Sequence, residues 1–252
     1  MNLLNHCIVP DWPAPAQVRV LQTTRQGGVS AAPYDSLNLG SHVGDALLAV
    51  ARNRMLLNTL LPSEPVWLEQ VHGITVANAD HAGCVPCADA CIARHRAAVC
   101  AVMTADCLPV LLCDEGGTVV GAAHAGWKGL AAGVIESTVQ EMAVAPQHLM
   151  AWLGPAISQS AFEVGDEVRA AFVTHDPQAA SAFSPSPLRG DRRAEGENWL
   201  ADIYALARLR LNAMGITRIY GGDYCTYREH DKFFSYRRDG VTGRMATFIW
   251  LE

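Results

Sequence analysis

The chain is 252 residues long and half hydrophobic, with a formal net charge of −6 and a pI near 5.8. This length and apolar content suffice for a large buried core and exclude a disordered or fibrous chain; the acidic balance gives no general electrostatic reason to bind nucleic acid or an anionic membrane. No segment approaches the roughly 18 uninterrupted apolar residues of a membrane span, and the first residues lack the regions of a secretory signal, so a cytoplasmic protein is expected, its eight scattered cysteines reduced.

In chain order, residues 18–24 read as a strand that enters a polar, Gly-containing loop at 25–44. A helix is predicted from Asp45 as N-cap, with Leu48, Ala51 and Met55 on one face and Pro62 as its stop. Val66, Trp67 and Leu68 are strand-like. Residues 99–103, 109–113 and 118–123 are short apolar runs bounded by turn residues, suited to buried strands. A helix is expected over 130–142, a strand over 149–153, a surface loop over 176–198, and a helix over 199–214 closed by Gly215. Strand signals return at 216–220 and 245–251. Strands mixed with separate helices, without regular alternation, predict a single mixed-sheet α+β domain over residues 1–252.

Two of these apolar stretches end in residues that can ligate a metal, and the strand-like 66–68 is followed by a third. His72 lies in Gln70-Val71-His72-Gly73, Cys107 in Thr104-Ala105-Asp106-Cys107-Leu108-Pro109, and His124 in His124-Ala125-Gly126-Trp127-Lys128-Gly129. Taken alone, each reads first as a core residue, Cys107 as a small buried hydrophobe and the two histidines as hydrogen-bonded in the core. Three such donors at strand-to-loop junctions form the donor set of a catalytic zinc site with a coordination position left for a reactant. His124 is followed by Ala125-Gly126, so the His-x-Glu of zinc deaminases is absent; Asp106 is the candidate proton shuttle by adjacency.

Further motifs are Thr24-Arg25-Gln26-Gly27-Gly28-Val29-Ser30, Ser36-Leu37-Asn38-Leu39-Gly40, Gly154-Pro155-Ala156-Ile157-Ser158 and Phe234-Ser235-Tyr236-Arg237-Arg238-Asp239. Together with the ligand segments they resemble, in order and over residues 24–251, the YfiH family, which carries the labels polyphenol oxidase or laccase domain and peptidoglycan editing factor. The resemblance implies an α+β fold related to the cytotoxic necrotizing factor hydrolases and zinc held by His72, Cys107 and His124. It implies activity on purine nucleosides: phosphorolysis of adenosine, inosine and methylthioadenosine, and adenosine deamination.

Phosphate and nucleoside would be the small-molecule partners. Arg25 and Arg237 are candidates to hold phosphate or ribose, and Asn38 to pair with a base or sugar edge or to cap a turn. Trp127, Lys128 and Cys225 are candidate pocket neighbours. Cys84, Cys87 and Cys91, with His81 or His95, have spacings that suit a second metal, yet their thiols are not part of the family pattern.

Two other chemistries remain open. A complete multicopper oxidase needs a larger set of histidines, mostly as His-x-His pairs, whereas this chain has nine and no such pair; adventitious copper at the zinc site would give weak phenol oxidation. A Cys–His hydrolase would use Cys107 as nucleophile and His124 as base, on substrates such as the peptide stem of a peptidoglycan precursor. Oligomeric state is not legible.

Overall fold

A computed structural model describes residues 3–81, 83, 85–187 and 198–252. Among these, three sheets form. The largest contains β3 (Val76–Asn78), β4 (Ala90–Ala93), β6 (Leu108–Asp114), β7 (Val120–Ala125), β8 (Leu149–Leu153) and β12 (Ile219–Gly221), in the order β12-β8-β6-β7-β4-β3, with parallel pairs at both edges and antiparallel pairs between. The second contains β1 (Cys7–Ile8), β2 (Val18–Thr23), β5 (Cys100–Thr104) and β13 (Met245–Leu251), in the order β1-β2-β13-β5. A small third sheet pairs β9 (Glu163–Gly165), β10 (Phe183–Pro185) and β11 (Asn198–Ala201). The helices are α1 (Leu47–Leu57), α2 (Trp127–Ala132), α3 (Val134–Met142), α4 (Asp166–Val173), α5 (Ile203–Ala213) and α6 (Tyr236–Asp239).

The alternation of side chains along a strand explains the layering. On β6, Leu108, Val110 and Leu112 face α3 and α5 in one core, whereas Leu111 and Cys113 face the four-stranded sheet in another, alongside Val120 and Ala122 of β7 and Cys100 and Val102 of β5. The far side of the four-stranded sheet buries Leu21, Ala101, Phe248 and Trp250 against Leu57 and Trp67. The mixed sheets of the α+β expectation are present. Among the described residues no helix is long and apolar enough to cross a membrane, and each described cysteine is a free thiol.

Several expected elements change in detail. Asp45 does not cap α1: Ala46 is the N-cap, with no side-chain cap bond, and Asp45 accepts from Ser30 Oγ (2.6 Å) and Asn38 Nδ2 (3.0 Å) instead. The face of α1 bearing Leu48, Ala51 and Met55 is turned to solvent. The buried face is Val50, Asn53 and Leu57, because Asn53 binds the preceding loop through Val29 N–H, Ser30 Oγ and the carbonyls of Ser36 and Asn38. Four satisfied polar bonds outweigh an apolar stripe as the reason for docking.

The helix expected over 130–142 is two helices, α2 and α3, separated by Gly133 at φ 102°, a left-handed conformation suited to glycine. That expected over 199–214 begins as strand β11, where Trp199 pairs with Val164; α5 starts after Asp202, whose side chain accepts from Ala205 N–H. In the segment 176–198, residues 177–182 form a 3-10 helix burying Ala179 and Ala182, and 183–185 are β10. Residues 188–197, and Cys84 of the cysteine-rich segment, lie outside the described residues.

Candidate metal centre

Strand parity and register bring the three donors together. β6 and β7 are antiparallel, with Leu108 opposite Ala125 and Pro109 opposite His124, so Cys107, at the turn into β6, projects on the same inter-sheet side as His124 near the ends of both strands. His72 arrives from the loop that precedes β3. One ligand atom each from His72, Cys107 and His124 lies within 4.8 Å of the other two, with Cys107 Sγ 3.7 Å from His72 Nε2. The imidazole rings sit edge to face, 4.8 Å between centroids.

Asp89 organises this arrangement, although the sequence patterns gave it no role. Fully buried at the start of β4, it accepts from Val71, His72 and Gly73 N–H (3.1, 2.9 and 2.6 Å) and pairs with His124 Nδ1 at 2.9 Å. Its own carbonyl accepts from His124 N–H at 2.7 Å. One carboxylate thus ties two of the three donors and fixes the His124 proton on Nδ1, leaving Nε2 free to ligate. It also stabilises His72 at φ 62°, a backbone that costs a non-glycine residue about 1–3 kcal/mol. Asp89 lies between Cys87 and Cys91, and no local spacing marks it as a partner of His124.

Gly126 supplies the remaining space. A Cβ there would meet His72 Cδ2 at 2.7 Å and Cys107 Sγ at 3.0 Å. Burial alone would push the Cys107 thiol up, but the charges and hydrogen bonds of His124 and His72 outweigh it and bring the thiol down to about 6. Burial would likewise lower His124, yet the Cys107 thiolate and the Asp89 carboxylate raise it to about 9. Two imidazoles and a readily formed thiolate, one imidazole oriented by a carboxylate, fit a borderline cation such as zinc.

The donors line a cavity of about 360 Å³ shared with His42, Gln70, Thr104, Tyr236 and Arg244. Gln70 is a strut, its amide pairing in both directions with the Met103 backbone. Arg244 was not anticipated, because it lies outside every sequence motif of the family resemblance.

The other sequence candidates sit differently. Both Asp106 oxygens are committed, one accepting from Thr226 Oγ1 and the other from Arg237 N–H, each at 2.6 Å, which holds the Cys107 turn with Asp106 at φ 94°. The Arg25 guanidinium binds the Asp35 and His230 carbonyls and lines a separate hollow. Arg237 donates through Nη1 to the Glu163 carbonyl, over the Phe162 ring. Asn38 is fully buried; its amide reaches the Gly40 carbonyl and Asp45, and its oxygen accepts from Gly40 and Arg244 N–H. None of these four lines the donor cavity, nor do Trp127 and Lys128. Cys225 belongs to a different, open cavity of about 660 Å³, where it accepts from Ser158 Oγ at 2.9 Å.

Residues 19–252 match the family model described as multi-copper polyphenol oxidoreductase laccase. A Pseudomonas aeruginosa protein named purine nucleoside phosphorylase PA4543 is 52% identical over 249 residues, covering 99% of this chain and 100% of its own. The Escherichia coli protein named purine nucleoside phosphorylase YfiH is 53% identical over 253 residues, with 98% and 100% covered. Among solved structures, Neisseria meningitidis NMB0706 aligns with a TM-score of 0.91 at 53% identity, covering 98% of this chain and 99% of that one. YlmD from Geobacillus stearothermophilus gives 0.84 at 32% identity, covering 98% and 96%. With a family model matched over nearly its whole length and relatives of this identity spanning both partners end to end, the chain belongs to the YfiH family.

Proposed function

We propose that this chain is a zinc-dependent purine nucleoside phosphorylase acting on adenosine, inosine and methylthioadenosine, with adenosine deamination as a second activity, and that residues 1–252 form one catalytic domain. The observation that carries this reading is the meeting of His72, Cys107 and His124 in a cavity that also holds a guanidinium and an aromatic ring. The names of the P. aeruginosa and E. coli relatives supply the substrate class. Eight cysteines with no described disulfide suit a cytoplasmic setting.

A bound zinc ion would supply Lewis acidity beside the reacting oxygen or leaving group. In phosphorolysis a phosphate oxygen bonds to the ribose C1′ as the bond from C1′ to the purine nitrogen breaks; the bonding pair passes to the purine, which takes up a proton. In deamination water replaces the C6 amino group and ammonia leaves. Asp89 keeps the His124 proton on Nδ1 through either reaction. The Tyr236 ring, 61% exposed at the cavity, offers an apolar face to a purine. Arg244 gives the cavity positive charge, burial lowering its pKa against the raising influence of the Cys107 and Asp106 charges.

One observation favours a second reading. Without metal, Cys107 and the imidazoles form a thiolate–imidazole set oriented by Asp89, the arrangement of a cysteine hydrolase, for which a peptidoglycan precursor would be the substrate. Copper on the same donors would give phenol oxidation as an adventitious activity.

The test incubates purified protein of measured metal content with adenosine, with and without phosphate, and resolves inosine, adenine, hypoxanthine and ribose 1-phosphate. Zinc near one per chain with phosphate-dependent adenine and ribose 1-phosphate supports the proposal. Metal-free protein alkylated at Cys107 and inert toward every nucleoside refutes it in favour of the hydrolase.

A further inference from the structure

We propose that Arg244, Thr104 Oγ1 and His42 form a dedicated phosphate subsite in the cavity beside the three metal donors, and that its occupant is inorganic phosphate. This deepens the phosphorylase reading and rests on it for the choice of occupant.

Three observations converge. First, Arg244 has cation capacity to spare. Nη1 donates to the Thr242 and Gly243 carbonyls, both at 3.1 Å, and no carboxylate among the described residues pairs with its guanidinium. Arg25 and Arg237, the candidates that the motifs suggested, have their guanidinium groups engaged elsewhere. A guanidinium fork matches an oxyanion bidentately, as an ammonium does not.

Second, Thr104 is 2% exposed and its Oγ1 has no hydrogen-bond partner among the described residues. Buried hydroxyls rarely remain unpaired. Thr104 lies on β5 with the parity of Cys100 and Val102, which face the inter-sheet core, and it lines the donor cavity; an anion there would satisfy it. Third, among the described residues the cavity lining contains no Asp or Glu although the chain is net acidic, and His42 adds an imidazole to the same wall.

The 36–40 motif then gains a purpose that its lack of cavity contact had left open. Asn38 Oδ1 accepts from Arg244 N–H at 2.9 Å, and Leu39 N–H donates to the Arg244 carbonyl at 3.1 Å. Gly40 leaves room for the arginine stem, since a Cβ there would meet Arg244 Cγ at 2.8 Å. The loop delivers Arg244 to the cavity instead of touching substrate itself.

The experiment titrates the full, as-purified chain with inorganic phosphate by isothermal calorimetry, and in a separate arm with adenosine 5′-monophosphate, measuring metal content and Tm for every variant. Saturable binding of inorganic phosphate is expected. Arg244→Gln should weaken it about tenfold or more. Thr104→Val, which keeps shape and removes only the hydroxyl, should weaken it about threefold without lowering Tm. Arg218→Gln, a surface residue paired with Glu115, should change nothing. Metal content should stay constant throughout.

Phosphate affinity unchanged in both Arg244→Gln and Thr104→Val overturns the subsite, as does selective binding of the nucleotide with none of orthophosphate. If orthophosphate binding behaves as expected but no nucleoside is cleaved, the subsite stands and the phosphorylase reading falls. If phosphorolysis proceeds with an unaltered KM for phosphate in both variants, the reverse holds.

Discussion

Two regions of this molecule carry the same kinds of metal donor, and among the described residues only one assembles them. The 81–95 stretch has imidazoles and closely spaced thiols, yet Cys87 is exposed at a bridge to Glu69, Cys91 is sealed in the inter-sheet core, and the His81 and His95 rings meet at the surface beside Asp80. His72, Cys107 and His124 are separated by long stretches of sequence, and they meet because β6 and β7 are paired neighbours and Asp89 draws the 71–73 loop onto β4. Ligand convergence follows strand register, not local density of thiols. Among the described residues, this is the one cluster whose donor atoms can share an ion.

The sharpest way to break the contrast is to delete donors on each side. Cys107→Ala and His124→Ala should abolish stoichiometric metal and turnover, measured by mass spectrometry of bound metal and by product analysis, whereas Cys87→Ala should alter neither. Next in size is Asp89→Asn, expected to cost about 10–100-fold in metal affinity or activity because it unties His124 and the 71–73 backbone.

That variant also has a pH signature. Burial would raise the Asp89 carboxyl, but the His124 hydrogen bond and the Gly73 and Val71 N–H groups hold it below the ordinary 3.8. A carboxyl lowered in the folded state stabilises above its unfolded value, and that stability is lost as pH falls through the folded one. The acid limb of Tm against pH should therefore shrink in Asp89→Asn; an identical limb would show that Asp89 does not carry it.

Gly126→Ala should have a smaller effect, about severalfold in metal affinity, as the added methyl presses on His72 and Cys107. Smallest is a difference in reactivity alone. In metal-free protein, Cys107 should be alkylated by iodoacetamide with a half-maximal rate near pH 6, while Cys113, pushed up to about 12 by burial and Asp114, stays inert at neutral pH. Alkylation of Cys107 only above pH 8 would remove the imidazole influence assigned to it.

Cys107 and His124 were legible because each ends an apolar run, whereas His72 follows a strand-like stretch that forms only isolated bridges; β13 was legible to the residue because it is a continuous apolar strand buried on both faces. The face of α1 was not: an apolar stripe at helical spacing points to solvent there, while Asn53, the residue least suggestive of a core, anchors the helix through four polar bonds. Asp89 and Arg244 were missed for a related reason. Their importance lies in partners far along the chain, His124 for one and the 38–40 loop for the other, and no local periodicity records such a pairing. Asn38 was picked out by its motif as a base or sugar contact or a turn cap; its amide group bonds Gly40, Asp45 and the Arg244 N–H.

β13 forms the interior of the four-stranded sheet, between β2 and β5, with Arg244 immediately before it. As the nascent polypeptide leaves the ribosome, every metal donor therefore emerges well ahead of the strand that joins the two ends of this layer, and β2 and β5 wait with unpaired edges, which are sticky. Completion of the pocket wall awaits synthesis of residue 244 and β13, and a chain truncated before residue 244 would carry all three donors without Arg244.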